Sequence, residues 1–198
     1  MDKPFSQACE NNKQPILGVL SAAFSQVTRI LEIGSGTGQH AIWFARHLPH
    51  LHWQPTEMTG NLSGIRLYLE ESQLENIVAP LGLDVASLPW QVPPVDAIFS
   101  ANTLHIMGKQ QARCFFKGIQ QILPPGGRVC VYGPFNYAGD YSSESNARFD
   151  VWLKQQNPNS GIRDFEWVNE LAVDAGLDLI ADHEMPANNR LLEWVRCS

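Results

Sequence analysis

Basic residues, paired cysteines and long apolar runs are all scarce in this chain, and each shortage excludes something. Only 14 Lys and Arg stand against 20 Asp and Glu, for a net charge of −6. No global positive field therefore exists to gather nucleic acid or anionic lipid. Four cysteines, Cys9, Cys114, Cys130 and Cys197, are spread through 198 residues without a CxxC pair. That spacing argues against a zinc framework and for free thiols in a reducing compartment. The N-terminal "MDKPFSQACENNKQ" lacks the apolar core of a secretory signal. No segment approaches the roughly 20 apolar residues of a membrane span. The expected location is cytoplasmic, with neither nucleic acid nor membrane as partner. Repeats and low-complexity tracts are absent too.

What remains is ordinary for a globular chain, 44% hydrophobic and 17% charged. The length suits a single domain, 1–198, with a proper core. Apolar, β-branched runs alternate with amphipathic ones. The candidate strands are "TRILEIG", "LHWQPTE", "VAPLGLDV", "VDAIFSAN", "GRVCVYGPF", "LDLIADHEM" and "NRLLEWVR". Helical patterns, "QHAIWFARHL", "NLSGIRLYLEESQ" and "GKQQARCFFKGIQQIL", separate the early ones. In the last, Ala112, Phe115, Phe116, Ile119, Ile122 and Leu123 mark one face, and "PPGG" stops the helix. Strands joined through single helices need crossover connections, which implies a doubly wound, mostly parallel seven-stranded sheet with helices on both faces. Only "PANN" separates the last two strands, too short for a crossover, so they form an antiparallel hairpin. Residues 133–145, "GPFNYAGDYSSES", are long enough to read as a lid or substrate wall.

One stretch points to a ligand. In "LEIGSGTGQH", Gly34, Gly36 and Gly38 fall at a strand-to-helix turn, where backbone without Cβ lets a ligand approach a helix N-terminus. A phosphate-gripping loop would end in Gly-Lys-Ser/Thr, and this one ends Gly-Gln-His. A dinucleotide fingerprint would need glycine where Gln39 stands. A third pattern, G-x-G-x-G preceded by an acid, here Glu32, is that of S-adenosylmethionine (SAM) sites. A purely structural tight turn is a fourth explanation. Downstream acids favour a nucleoside ligand. Glu57 closes the next strand 19 residues after Gly38, where a carboxylate can accept ribose hydroxyls. Asp84 closes the third strand, placed to accept an adenine amino group. One such acid is often only a helix cap; three at successive strand ends are harder to explain that way.

The motifs "LEIGSGTGQHA", "LDV" and "ILPPGGRVCVYGPF" resemble those of class I SAM-dependent methyltransferases, which are Rossmann-like. Together with "NTLHIM", "SESNARFDVWL", "GIRDFEWV" and "MPANN", the chain is similar to one subgroup, the methyltransferase-like 26 family. Two departures are visible. Asn11-Asn12 stand where the family usually has Arg-Asn, and Glu57 replaces the usual ribose Asp.

The resemblance implies roles. Gly34, Ser35, Gly36 and Gly38 would cradle the methionine part of SAM, with Glu32 organising the loop. Glu57 would hold the ribose, Asp84 and Val85 the adenine, and Asn102 would lie beneath the reacting end. Residues 1–28 would cover the cofactor. On the acceptor side His105 is the candidate base, with Asp150 and Tyr132 as further catalytic candidates and Asn146, Arg163 and Asn189 as substrate ligands. Bland alternatives stand beside these: a packing role for His105 and Tyr132, and a hairpin turn for Asn188-Asn189. Asp164 reads as a helix N-cap, and Trp43, Trp90, Trp152, Trp167 and Trp194 as packing. No metal is expected, since His47, His50 and His52 lack an acid or cysteine at ligand spacing. The implied activity is methyl transfer to a small polar acceptor. A non-catalytic SAM-binding protein is the alternative, and a short nicotinamide-dependent reductase a third.

Overall fold

The computed structural model describes residues 3–197. Its centre is a seven-stranded sheet in the order β3-β2-β1-β4-β5-β9-β8. These strands are β1 (Arg29–Ile33), β2 (His52–Glu57), β3 (Leu81–Gly82), β4 (Ala97–Ala101), β5 (Arg128–Gly133), β8 (Leu177–Met185) and β9 (Asn189–Arg196). The first five pair in parallel, while β9 runs antiparallel to both β5 and β8. The expected α/β sheet with a terminal hairpin is therefore the fold observed. Helices α1 (Gln7–Ala23), α2 (Gln39–His47), α3 (Leu62–Ser72), α4 (Lys109–Ile122), α5 (Glu144–Gln156) and α6 (Phe165–Asp174) flank it.

Strand side chains alternate between two cores, as the period of two requires. Leu31, Ile33, Ile98, Val129 and Val131 point to one, closed by Phe115, Phe116 and Ile119 of α4 and Val168 and Ala172 of α6. Ile30, Phe99, Cys130 and Tyr132 point to the other, closed by Ile16 and Leu20 of α1 and Phe44 of α2. There Phe99 meets Phe44 edge-on, centroids 5.4 Å apart at 86°. Truncating such a ring costs about 3–5 kcal/mol, so the sheet centre is a rigid base for its rim.

Three local readings change. The third strand shrinks from "VAPLGLDV" to two residues, because it is a sheet edge whose run is broken by Pro80. Part of the 133–145 segment is tied down. Strand β6 (Phe135–Asn136) pairs in parallel with β7 (Arg163–Asp164), and Tyr137 and Asp140 exchange backbone hydrogen bonds. Trp152 is 52% exposed rather than packed inside, stacking only on Phe149 of its own helix. The hairpin turn places Ala187 and Asn188 at φ 58° and 56°, the left-handed conformation that Asn tolerates.

Candidate functional site

The carboxyl ends of β1, β2 and β4 open onto one cavity of about 630 Å³. Its floor is the turn after β1. Ser35 donates from its backbone to the Thr56 carbonyl (2.8 Å) and from its hydroxyl to Glu32 (2.9 Å). The Trp53 indole also donates to Glu32, at 3.0 Å. Glu32 is thus wholly beneath the turn, and burial raises its pKa to about 7, with the nearby Glu57 charge adding to the rise. Glu57 holds the turn from the other side. Its carboxylate accepts the Gly36 N–H and the Met58 N–H, each at 2.8 Å.

The three glycines serve different ends. A Cβ on Gly38 would stand 3.2 Å from the Ile65 Cα, so this glycine admits α3 against the start of α2. One on Gly34 would meet the Thr103 methyl at 2.5 Å. Gly36, at φ +55°, has nothing within 4 Å of that position. Gly36 itself lines the cavity.

Of the residues singled out from sequence, Gly34, Ser35, Gly36, Glu57, Asp84, Val85, Asn102 and His105 all line this cavity. Asn102 adopts φ 59° and ties back through its N–H to the Tyr132 carbonyl at 2.8 Å. Asp84 accepts the Ala86 N–H through Oδ1 at 2.9 Å. His105 is 6% exposed, and burial, reinforced by the Arg163 charge, lowers its pKa to about 4. It is neutral at pH 7.

The other candidates lie elsewhere. Tyr132 points into the core under α1, because the pleat of β5 turns it away from the rim. Asp150 is satisfied internally: it accepts the Ile162 N–H (2.7 Å) and the Tyr141 hydroxyl (2.6 Å) and pairs with Lys154. Arg163 donates to the carbonyls of Leu104, Met107 and Asn159. It braces the loop that carries His105, as do the Gly161 N–H on the His105 carbonyl (2.8 Å) and the Ser160 hydroxyl on the Ile106 carbonyl (2.7 Å). Asn146 donates to Ser142 and to the Asn188 carbonyl, and Asn189 to carbonyls of its own turn. Asp164 sits at the N-cap of α6 without a side-chain cap bond. His47 and His50 are spent on the Trp43 and Phe24 carbonyls.

Sequence reasoning named the segment 1–28 as a cover for the cofactor but none of its residues. Ser6 and Cys9 line the cavity. Gln39 locks α1 down, accepting the Ser6 N–H at 2.6 Å and donating to Glu10 at 2.8 Å. His40 also lines the cavity, hydrogen-bonded to Asn12 at 2.7 Å, with burial lowering its pKa to about 4. The only sequence signals were the polar pair Gln39-His40 where a helix should start and Asn12 in "NNKQ".

The family model described as "Protein of unknown function (DUF938)" matches residues 3–196. The chain belongs to this family. This member is 24% identical over 186 residues to trans-resveratrol di-O-methyltransferase of Vitis vinifera, covering 89% of the chain and 49% of that protein. Its fold is that of an O-methyltransferase family 2 protein of Planctomyces limnophilus solved in complex with apigenin. The TM-score is 0.84 at 17% identity, over 96% of this chain and 57% of that one. Human N-acetylserotonin methyltransferase, solved in complex with SAM, matches with a TM-score of 0.77 at 16% identity, over 94% and 55% of the two chains. This family member spans about half the length of the curated relative. Among the described residues no helix is long and apolar enough to cross a membrane.

Proposed function

We propose that the protein is a SAM-dependent methyltransferase that methylates a hydroxyl of a small, uncharged acceptor. The turn at Gly36 carries the reading: a left-handed glycine with open space at its missing Cβ, lining one cavity with two carboxylates from the strand ends, Glu57 and Asp84. Those features fit an adenosine-bearing cation. Gly34, Ser35 and Gly36 would hold its methionine part, Glu57 the ribose hydroxyls, and Asp84 and Val85 the adenine. Each Glu57 oxygen already accepts one backbone N–H and keeps a second lone pair for a hydroxyl. Ser6 and Cys9 of the N-terminal segment would cover the cofactor from above.

SAM supplies an electrophilic methyl group on sulfur. The chain itself must orient the acceptor, exclude water and take up the hydroxyl proton. His105 is suited to the last task, since its neutral ring can accept a proton at pH 7. Beyond it the wall is formed by Ile106, Met107 and Phe149 with the neutral amides of Gln111 and Asn157. Glu57 and Asp84 are the charged residues of the lining, both at the cofactor end, so nothing at the far end recognises an anion. The names of the relatives, a resveratrol methyltransferase and an apigenin complex, are consistent with a neutral hydroxyl acceptor. Within the superfamily we assign the chain to the methyltransferase-like 26 subgroup on the motifs quoted above. Its four free cysteines fit a cytoplasmic setting.

Calorimetric titration with SAM, followed by S-adenosylhomocysteine release from a panel of neutral phenols and enols, tests the proposal. Binding with turnover supports it. Binding without turnover on any acceptor would leave a non-catalytic SAM protein, and no binding would end the proposal.

A further inference from the structure

Helix α5 reverses the usual pattern of a surface helix. It buries Asn146 and Asp150 along with Leu153, and leaves Trp152 about half open to water. Large apolar side chains in solvent are informative when they join into a patch, and this one does. The Trp152 ring lies nearly parallel to that of Phe149, at 13° with centroids 5.8 Å apart. Phe149 in turn meets the His105 ring edge-on, at 71° and 5.4 Å. His105 and Phe149 both line the SAM-sized cavity, as does Ile106, whose side chain is 58% exposed beside them. The three rings therefore make one row. It starts at a buried imidazole inside the cavity, passes a half-buried phenyl ring in its wall and ends on an indole in solvent.

We propose that Phe149 and Trp152 form the outer half of the acceptor site, a shelf for a second flat apolar ring beyond the ring that carries the reacting hydroxyl. The inference rests on the methyl-transfer reading of the cavity and extends it past the cavity's mouth. With the hydroxyl at His105, a one-ring acceptor ends against Phe149, whereas an elongated one continues along the row to Trp152. Covering that indole removes apolar surface from water on both partners and adds an aromatic contact. Trp152 would touch only the part of the acceptor remote from the transferred methyl. Its contribution is therefore the same in ground and transition states, and it sets which acceptors bind rather than how fast they react.

Calorimetric titration of phenol and 4-hydroxybiphenyl into the intact protein, with and without S-adenosylhomocysteine, tests the shelf. The two-ring compound should bind tighter than phenol by about tenfold or more. Trp152→Ala should remove most of that advantage, and Trp152→Phe should keep most of it. Val151→Ala is the control, an exposed apolar residue half a helical turn from Phe149, and should change neither affinity. Wherever the biphenyl is methylated, Trp152→Ala should raise its KM and leave kcat as it was. Failure of the biphenyl to bind, affinity equal to that of phenol, an advantage that survives Trp152→Ala or an equal loss in Val151→Ala would each overturn the shelf. Because binding is read without turnover, a protein that holds the biphenyl on Trp152 but never methylates a phenol would refute methyl transfer and uphold the shelf.

Discussion

Replacing Gly36 by alanine separates a ligand-binding glycine from structural ones. The residue sits at φ +55°, where an L side chain costs about 1–2 kcal/mol. No neighbouring atom lies within 4 Å of the new methyl, so no clash adds to that cost. For a chain of this size each kcal/mol is about 2–4 °C, predicting a melting temperature lower by about 2–8 °C. The effect on ligand is of another order, because the methyl stands in the proposed cofactor space. Wild type in SAM at about a hundred times its Kd gains about 2.7 kcal/mol, or some 5–11 °C. Gly36→Ala should lose most of that gain. Gly38→Ala is the control: its Cβ would press on the Ile65 backbone at 3.2 Å, lowering stability more while keeping the ligand-induced rise. Differential scanning calorimetry with and without SAM reads both quantities. An undiminished SAM-induced rise in Gly36→Ala would refute the assignment of this turn.

Other expectations follow from the buried polar groups. His40 and His105 have pKa values lowered from 6.5 to about 4, and Glu32 one raised from 4.5 to about 7. The histidines favour folding while neutral, a stability present above pH 6.5 and lost as pH falls through about 4. Glu32 favours it while protonated, a stability present below pH 4.5 and lost as pH rises through about 7. Near pH 5.5 these three groups give a net uptake of about one proton on unfolding, and Glu32→Gln should raise it to about two, steepening the slope of stability from about 1.4 to about 2.7 kcal/mol per pH unit. Urea denaturation across that range checks this, and an unchanged slope would contradict it. An NMR titration of the His105 imidazole should show no protonation above about pH 5; a midpoint at the ordinary histidine value would contradict its burial. With an acceptor in hand, His105→Asn should cut turnover about 10²–10⁴-fold and leave SAM affinity unchanged. Arg163→Leu strands three carbonyls and should cost several kcal/mol of stability at about 1–3 kcal/mol each. Its SAM Kd should hold, and a selective loss of SAM binding would argue instead for direct contact.

Much of this site was legible because its parts sit where local rules put them. Glycines at a strand-to-helix turn and acids at strand tips are recognisable without tertiary information, and Gly36, Glu57 and Asp84 fell together as their spacing required. The hairpin was equally readable, since four residues cannot make a crossover. What escaped were polar residues satisfied in large part by partners distant in sequence. Asp150 meets the Ile162 N–H and Tyr141, and Arg163 meets carbonyls near residue 105; nothing in either neighbourhood discloses those bonds. Both therefore looked available for chemistry. Tyr132 misled for a different reason: its proximity to the strand end suggested the rim, but the pleat sets it on the face under α1. His40 stood in plain view beside the glycines, and only the docking of α1 through Asn12 gives it a place in the cavity.

The most direct test is the structure of the protein crystallised with S-adenosylhomocysteine. The adenosine should lie between Glu57 and Asp84, with the amino-acid end over Gly34–Gly36 and the sulfur facing His105. Ligand density lodged elsewhere, or none at this strand edge despite measured binding, would contradict the account.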